Sequence, residues 1–439
     1  MQIHVVRQGQ SIYGISQAYA TTPEDLIEAN ELPNPDNLVI GQSLVIPIVG
    51  RFYYVQQGDT LDSIARRFNT TPQLLARVNQ LNANQPLRTG LRLYIPPQSK
   101  REAEINAYIE PRGNTVSPQL EQSARNTAPY LTYLAPFSFR VQRDGSLEEP
   151  PLNNFQQIAE ANNVTLMMVL TNLEDDGFSD ELGRIILTNM SVQNKFLDNV
   201  VVTAKKYNFK DIHFDFEFLR PADKEAYNTF LRKARDRFKK EGWLISTALA
   251  PKTKADQKGK WYEAHDYKAH GEIVDFVIIM TYEWGYSGGP PMAVSPIGPV
   301  REVLEYALTE MPGNKIMMGQ NLYGYDWTLP FKPGGEFAKA ISPQAAIQLA
   351  SDNNAAIQYD EKAQAPHFNY WDKQGKEHKV WFEDARSIQA KFDLLKELNL
   401  RGISYWKLGL SFPQNWLLIT DNFNVVKNPT ARWYHQAYR

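Results

Sequence analysis

The sequence predicts an α/β protein: a (β/α)8 TIM barrel with a small α+β insertion after its seventh strand, preceded by two small βααβ modules. Three observations support this prediction. The first hundred residues repeat themselves with an offset of 49 residues. From residue 103 onward, eight short apolar runs alternate with longer stretches of helical periodicity. One of these runs, DIHFDFEF (211–218), alternates polar and apolar residues throughout.

Length and composition limit the class of protein. The chain has 439 residues, which suits two or three domains, and 43% of them are hydrophobic, enough for a sizeable core. A formal net charge of −2 argues against a general nucleic-acid or membrane-surface binder. Cysteine is absent, which excludes disulfides and thiolate catalysis. The start MQIHVVRQGQ lacks a basic and apolar leader, and no long apolar run occurs, so we expect neither signal-directed secretion nor a membrane span.

The repeat defines the first domains. The matched segments are Gln8–Gly9 with Gln57–Gly58, Thr21–Pro23 with Thr70–Pro72, and Leu44–Pro47 with Leu93–Pro96. Each copy has the pattern strand, helix, helix, strand, because apolar residues follow helical spacing after a Ser or Thr, and a Thr-Pro pair opens the second helix. We therefore predict modules at residues 2–48 and 52–97, followed by a polar linker at 98–102.

The repeated unit resembles the LysM module, because V-x-x-G-[DQ]-[ST]-[LI], T-x-x-x-L-x-x-x-N and G-x-x-L-x-I-P stand in both copies in order. The resemblance implies binding of chitin or peptidoglycan through N-acetyl groups, along loops at 9–12 with 30–33 and at 58–61 with 79–82. The implied glycan-binding residues are Gly9, Ser11, Ile12, Asn30, Leu32, Gly58, Thr60, Leu61, Asn79 and Leu81. For Asn30 and Asn79 we favour a structural role in the turns over glycan contact.

Eight strand-like runs follow the modules. They cover residues 104–110, 130–139, 164–173, 211–218, 244–252, 274–284, 315–325 and 402–409. Amphipathic segments such as KEAYNTFLRKARDRFKKEG separate most of them, and eight strands each followed by a helix predict a barrel over 103–439. Residues 326–385 read as short strands and turns, with a hairpin signal at DKQGKE, so we predict an α+β insertion on the barrel rim.

The fourth run carries the candidate site. Asp211, His213, Asp215 and Glu217 share one face of this strand, and the apolar residues between them share the other. The apolar face packs against helices, so the polar face points into the barrel, where carboxylates are costly unless paired or used. The Cβ atoms of Asp215 and Glu217 lie about 6–7 Å apart by the strand repeat. Burial and an ionised Asp215 raise the pKa of Glu217, which makes Glu217 the natural general acid.

Other strand ends are consistent with a sugar-binding cleft, because active sites of such barrels lie at the C-terminal ends of the strands. The sixth run closes with MTYEW (280–284), the seventh with QNLYGYDW (320–327) and the eighth with YWK (405–407). Aromatic faces with a few carboxylates and amides suit sugar rings. Trp406 is interpreted as the floor of the site, with plain core as the alternative. The alternative for the polar face of the fourth run is a purely structural polar network. The residues at the other strand ends favour a functional site over that alternative.

These motifs together resemble glycoside hydrolase family 18, the chitinase-like family, over residues 103–439. The family pattern D-G-x-D-x-D-x-E ends here at Asp215-Phe216-Glu217, and MTYEW, YGYDW and SYW correspond to its blocks on strands six, seven and eight. The resemblance implies substrate-assisted, retaining hydrolysis, which is an exception to the scheme with two protein carboxylates.

The resemblance also implies residue roles. Glu217 protonates the leaving oxygen and later acts as base, Asp215 orients the acetamide N–H, and Tyr282 hydrogen-bonds the acetamide oxygen. Trp406 lies beneath the sugar whose bond breaks. The remaining expected substrate-binding residues are Glu283, Gln320, Asn321, Tyr325 and His213.

Three positions depart from the family pattern: Lys210, Asp211 and His213 stand where it has Asp, Gly and Asp. His213 either hydrogen-bonds Asp215 or is a packed, satisfied histidine, and both interpretations remain open. We expect the departures to tune the pH profile rather than abolish the chemistry. The seven histidines are scattered and form no HExxH, so we expect no metal and no other cofactor.

Two LysM-like modules joined to such a barrel resemble the spore cortex-lytic enzymes of endospore-forming bacteria over the whole chain. This implies an N-acetylglucosaminidase that cuts between GlcNAc and the following muramic acid or muramic lactam during germination. It also implies synthesis in the mother cell and a place in the spore coat or cortex. A chitinase and an inactive glycan-binding protein remain the alternatives. Peptidoglycan is the expected partner, nucleic acid and membrane are not, and a monomer is expected.

Overall fold

The computed structural model describes residues 1–32, 34–82, 85–175 and 177–429. Pro33, in one predicted glycan loop, and residues 430–439, at the end of the predicted barrel, lie outside the described residues. None of the described helices combines the length and hydrophobicity needed to cross a bilayer.

Two small modules open the chain, and each has a two-stranded antiparallel sheet with two helices between its strands. The elements are Gln2–Val5, Ile12–Tyr19, Pro23–Asn30 and Ser43–Ile46 in the first module and Arg51–Tyr54, Leu61–Arg67, Pro72–Val78 and Arg92–Ile95 in the second. Each helix begins after a Ser or Thr whose hydroxyl accepts a backbone N–H, and the second helix of each module starts with Pro. The predicted βααβ order is confirmed.

Eight parallel strands then close into a barrel. They are Arg101–Ile109, Tyr133–Pro136, Thr165–Thr171, Asp211–Asp215, Leu244–Leu249, Phe276–Ile279, Ile316–Asn321 and Gly402–Trp406. Each strand pairs in parallel with the next, and the eighth pairs with the first, which closes the ring. The barrel prediction is confirmed, but every strand except the first is shorter than its predicted run. The fourth ends at Asp215, so Glu217 lies just beyond it.

Helices surround the strands. They are Pro118–Thr127, Phe155–Ala161, Asp180–Thr188, Met190–Tyr207, Lys224–Lys239, Tyr267–Ile273, Ile297–Glu310, Ala385–Glu397 and Pro413–Asn422. Short 3-10 turns lie at Ala128–Tyr130, Pro221–Asp223 and Gly313–Lys315. Minor strands lie at Phe139–Val141, Leu147–Glu148, Leu173–Glu174, Gly177–Phe178 and Phe423–Val425. The main core lies between the strand ring and these helices.

The faces of the fourth strand are as predicted. Ile212, Phe214 and Phe216 belong to the core between strands and helices. His213 instead contacts Tyr108 across the barrel interior, so the polar residues point inward. The alternation of the sequence thus places the acidic row inside the barrel.

The insertion after the seventh strand is a five-stranded antiparallel sheet with one helix. Its strands are Gly324–Thr328, Lys339–Ile341, Gln358–Asp360, Ala365–Trp371 and Glu377–Trp381, and its helix is Pro343–Asp352. The predicted hairpin joins the last two strands, where the Asp372 N–H donates to the Lys376 carbonyl at 2.9 Å. The sheet begins slightly before the predicted start at residue 326.

The first module docks on the barrel. The side-chain amide of Gln414, on the last helix, donates to Asn30 Oδ1 and to the Ser43 carbonyl, each at 2.8 Å. Gln344, on the insertion helix, donates to the Asn30 carbonyl at 2.8 Å. Val45 belongs to the main core of the barrel. The module is therefore packed against the barrel rather than tethered to it.

The predicted linker at 98–102 is wrong at its end. Arg101 begins the first barrel strand, and this part of the strand pairs with Phe423–Val425. Polar composition suggested a linker, but backbone pairing with a distant segment decides the boundary.

Candidate active site

The acidic pair lies at the C-terminal mouth of the barrel. Asp215 ends the fourth strand, and Glu217 follows after Phe216, which anchors the chain in the outer core. The amide of Asn172, just after the third strand, donates to the Glu217 carbonyl and accepts from the Glu217 N–H, both at 2.9 Å. These bonds fix the backbone of Glu217, although it lies outside the regular strand.

Burial controls the proton affinity of the pair. Asp215 is 5% exposed and Glu217 8% exposed. Burial, and then the charge of Asp215, raise the pKa of Glu217 well above its ordinary value. Burial also raises the pKa of Asp215, and a hydrogen bond with Glu217 opposes that rise. Two such neighbours do not ionise together readily, so the pair retains a proton near neutral pH, as a general acid requires.

A cleft of about 390 Å³ opens above the pair. The aromatic residues that line it are Tyr108, Phe137, Phe178, Trp261, Tyr282, Tyr323, Tyr325 and Trp406. Of the predicted site residues, the cleft brings together Asp215, Glu217, Tyr282, Glu283, Tyr325 and Trp406. Trp406 is half-buried and packs edge-on against Phe137, with ring centroids 4.8 Å apart, so it forms part of the cleft wall as well as of the core.

Glu283 is held in the cleft by two tyrosines. Tyr325 donates its hydroxyl to Glu283 Oε1 at 3.0 Å, and Tyr323 donates to the same oxygen. Burial raises the pKa of Glu283, and these two hydrogen bonds oppose the rise. The backbone of Glu283 has φ of +67°, an uncommon conformation for a non-glycine residue, which turns its side chain toward the tyrosines.

His213 lies below the cleft, and the prediction that it binds substrate is wrong. It is fully buried, and its ring nitrogens hydrogen-bond Tyr108 Oη and Ser246 Oγ, each at 2.8 Å. Ser246 in turn donates to Asp211 at 2.7 Å. Burial lowers the pKa of His213 to about 3, so the ring is neutral. The interpretation as a packed, satisfied histidine is correct.

Gln320 and Asn321 are also buried behind the cleft wall, and their predicted substrate contacts are wrong. Gln320 Nε2 donates to Asn321 Oδ1 at 2.9 Å. Asn321 Nδ2 donates to the Tyr323 carbonyl at 2.7 Å. Their amides shape the turn that presents Tyr323, so they act on the site only through its backbone.

Trp261 is the main functional candidate that the sequence did not reveal. It lies on the loop after the fifth strand, and its indole Nε1 donates to Glu217 Oε2 at 2.6 Å. Phe178, Tyr323 and Lys407 also line the cleft without having been predicted. A tryptophan within the polar stretch KADQKGKWYEAHD was the only available signal, and it says nothing of where the loop folds.

Asn30 and Asn79 occupy equivalent structural positions in the two modules. Asn30 Nδ2 donates to the carbonyls of Leu26 and Val45, each at 2.9 Å. Asn79 Nδ2 donates to the carbonyls of Leu75 and Tyr94, at 2.9 and 2.7 Å. Both amides join a helix to a strand, which supports the favoured structural role for these side chains.

The other predicted module residues divide into buried and open positions. Leu32 and Leu61 belong to the module cores, Ile12 and Leu81 pack against those cores, and Ser11 and Thr60 cap helices. Gly9 and Gly58 lie in exposed turns with φ of +78° and +85°. Core positions are unavailable to a glycan, whereas contact at the two glycine turns and at the exposed Ser11 and Thr60 stays a prediction.

Comparison with known proteins agrees with this architecture. Residues 105–410 match the family described as glycosyl hydrolases family 18. The chain belongs to glycosyl hydrolase family 18. Residues 4–47 and 53–96 of this family 18 protein match the LysM domain. The predicted family, the two LysM modules and the assignment as a glycoside hydrolase are thereby confirmed.

Close relatives of this family 18 enzyme extend over its whole length. It is 67% identical over 427 residues to the cortical fragment-lytic enzyme of Bacillus subtilis (strain 168), covering 97% of this chain and 99% of that protein. It is 54% identical over 428 residues to the protein of the same name from Bacillus anthracis, with the same coverage of 97% and 99%. The crystal structure of the spore cortex-lytic enzyme SleL from Bacillus megaterium QM B1551 is similar with a TM-score of 0.90, at 60% identity, over 97% of this chain and 99% of that one.

Proposed function

We propose that this enzyme is a peptidoglycan N-acetylglucosaminidase of the bacterial spore. It hydrolyses the β-1,4 bond between GlcNAc and the following muramic acid or muramic lactam of the cortex during germination. The observation that carries the proposal is the buried Asp215–Glu217 pair beneath an aromatic cleft. The substrate is proposed from the names of the relatives, which refer to the spore cortex and its fragments. Synthesis in the mother cell belongs to the same proposal.

In the first step, the substrate supplies its own nucleophile. The acetamide oxygen of GlcNAc attacks C1 as the bond between C1 and the leaving oxygen breaks. Glu217 gives its proton to that oxygen, and the acetamide and C1 form an oxazolinium ring. A pKa raised by burial and by the charge of Asp215 keeps Glu217 protonated for this step.

Asp215 and Tyr282 orient the acetamide. Asp215 Oδ1 is buried without a hydrogen-bond partner among the described residues, so it is available to accept the acetamide N–H. Burial raises the pKa of Tyr282 well above its ordinary value, so its phenol stays protonated and donates to the acetamide oxygen. Trp406 lies beneath the sugar, and Glu283 accepts a sugar hydroxyl. Holding the acetamide against C1 supplies the proximity on which this reaction depends.

In the second step, Glu217 acts as the base. It removes a proton from a water that attacks C1, and the oxazolinium opens to the free N-acetyl sugar. Two inversions at C1 retain the configuration. The protein forms no covalent bond with the sugar.

The LysM modules hold the enzyme on peptidoglycan in this proposal. The exposed turns at Gly9 and Gly58, together with the exposed Ser11 and Thr60, are parts of the predicted glycan loops that a polymer reaches. The enzyme acts as a monomer, without nucleic acid or membrane.

A digest of soluble cortex fragments, with products resolved by mass spectrometry, tests the reaction. Wild type is expected to release products that end in reducing GlcNAc, and Glu217→Gln to release none. Chitin oligomers serve as the comparison substrate. Efficient cleavage of chitin but not of cortex would replace the substrate assignment, and no cleavage of either would indicate glycan binding without catalysis.

A further inference from the structure

The loop after the fifth strand reaches over the mouth of the barrel to Glu217. The Trp261 indole N–H donates to Glu217 Oε2 at 2.6 Å. The ring of Phe218 stacks on the indole, with an interplanar angle of 10° and centroids 6.1 Å apart. Phe218 has φ of +54°, a region that bulky residues seldom occupy, and its ring is directed outward onto Trp261. The acid is therefore bonded directly to a residue of another strand's loop.

This loop has a rigid base. Neutral His265 accepts the Ala250 N–H at Nδ1 (2.9 Å), and its Nε2 donates to the Phe216 carbonyl (2.8 Å). Burial lowers the pKa of His265 to about 4, so the ring stays neutral, with Nδ1 as the acceptor and Nε2 as the donor. Buried Lys252 donates to the carbonyls of Ala255 and His265, at 3.1 and 3.0 Å. The base of the loop is thus tied to the strand that carries Glu217.

We propose that Trp261 is a positioning residue for the acid–base Glu217, an inference that rests on the proposed function. The indole N–H selects Oε2 as the accepting, carbonyl-type oxygen, so the transferable proton lies on Oε1. The bond also fixes the plane of the carboxyl group above the cleft. Trp261 itself touches no reacting atom in this scheme.

The same bond strengthens as the reaction proceeds. When the C1–oxygen bond breaks, the proton moves from Glu217 Oε1 to the leaving oxygen, and Glu217 becomes a carboxylate. The Trp261 N–H then donates to a charged acceptor, and such bonds are roughly twice as strong as neutral ones. The indole keeps its own proton throughout. Trp261 therefore favours proton release by Glu217 in the first step.

A pH profile reports this contact, provided that the other groups around Glu217 stay unchanged. The titratable or charged residues that line the cleft with it are Asp215, Tyr108, Tyr282, Glu283, Tyr323, Tyr325 and Lys407. A substitution at Trp261 leaves all of them in place. Loss of the N–H removes a contact that lowers the pKa of Glu217, so that pKa rises.

The test compares wild type, Trp261→Phe and the control Trp371→Phe, whose tryptophan lies exposed on the insertion sheet. Phenylalanine keeps an aromatic face for Phe218 and removes the N–H. We expect kcat/KM on soluble cortex fragments to fall about tenfold or more in Trp261→Phe. On an aryl glycoside of the same sugar, kcat/KM should fall much less, because its leaving group needs little acid assistance. The decline of kcat/KM with rising pH should move to higher pH, and the control should match wild type.

Two kinetic outcomes would overturn the proposal. In one, Trp261→Phe matches wild type in kcat/KM and in pH profile. In the other, kcat/KM falls equally on both substrates and its pH profile does not move. That result would mean that Trp261 only lines the sugar site. Thermal unfolding of each variant verifies that the fold is retained.

A titration without substrate separates this inference from the proposed function. Indole emission from Trp261 should change with pH as Glu217 ionises in wild type, and that change should be absent in Glu217→Gln. The result holds even if wild type hydrolyses nothing, or if Trp261→Phe does not fold. Identical emission titrations in wild type and Glu217→Gln would contradict the proposed contact.

Discussion

At the scale of single residues, hydrogen-bond satisfaction separates the proposed catalytic groups from the structural polar groups. Asp215 and Glu217 are nearly buried, but they face a cleft, and Asp215 Oδ1 has no hydrogen-bond partner among the described residues. His213 lies on the same strand face, yet both its ring nitrogens are occupied. A buried acceptor atom without a partner beside a cavity indicates a binding site, whereas a polar group with all its partners in the protein indicates a structural role.

Replacing Asp215 with Asn should move the pH profile as well as the rate. The neutral amide removes the charge that raises the pKa of Glu217, so the decline of kcat/KM should move to lower pH. We expect kcat to fall about 100-fold or more, because the acetamide loses its acceptor. Steady-state kinetics from pH 5 to 9 measure both effects. The control is Asp198→Asn, which removes an exposed carboxylate, and an unmoved profile in Asp215→Asn would contradict the assigned coupling.

Replacing His213 with Ala should cost stability rather than specificity. The substitution leaves Tyr108 and Ser246 without a buried partner and opens a cavity, so the free energy of unfolding should fall by about 2–4 kcal/mol. Urea unfolding measures the loss. Lys210→Ala, at the exposed neighbouring position, should be close to neutral. A raised KM with unchanged stability would instead restore the substrate-binding role.

At the scale of elements, the site is assembled from strand ends and the loops that follow them. Strand four supplies the acid, and the end of strand three fixes its backbone. Glu283, after strand six, accepts hydrogen bonds from Tyr323 and Tyr325, which follow strand seven. Parallel strands bring these ends together because they all run in one direction.

Removing one of the two tyrosine hydroxyls that bond Glu283 should affect substrate binding more than the chemical step. In Tyr325→Phe, Glu283 loses one donor and its pKa rises, so it accepts a sugar hydroxyl less well. We expect KM on cortex fragments to rise about three- to tenfold, with kcat changed less. Tyr370→Phe removes a hydroxyl that bonds Asp326 elsewhere on the insertion sheet and serves as the control. Equal changes in both variants would indicate general damage to the insertion.

At the scale of the whole molecule, the first LysM module is part of the catalytic domain's surface. Gln414 and Gln344 bond its backbone and Asn30, and Val45 enters the barrel core. The second module lies between the first module and the barrel in the chain. Its Phe52 N–H donates to Gln2 Oε1 of the first module at 2.7 Å. The chain thus folds back so that its first module covers the helix Pro413–Asn422.

Deleting residues 1–97 should therefore have two consequences. Binding to insoluble peptidoglycan should weaken, because both modules are lost. The barrel should also lose thermal stability, by roughly 5 °C, because apolar surface near Val45 and the amide of Gln414 become exposed. Sedimentation with peptidoglycan and calorimetry measure the two effects.

Gln414→Ala in the full chain is the matched control for docking. It should lower the unfolding temperature by less than the deletion does and leave peptidoglycan binding intact. A deletion variant as stable as wild type would show that the docking contributes nothing to the barrel.

The sequence by itself determined the repeat, through its self-similarity at a fixed offset. It also determined the eight strands and the direction of the acidic row, because these depend on local periodicity of 2.0 and 3.6 residues. It also indicated Asp215, Glu217, Tyr282 and Trp406, since a strand end carries its residues to a known edge of a barrel.

Only the tertiary structure decided which polar residues were already satisfied, as for His213 and Asn30. It alone placed Trp261 on Glu217 and the first module on the barrel. The physical reason is that these contacts join residues far apart in the chain, where side-chain bonds and loop paths follow no local period.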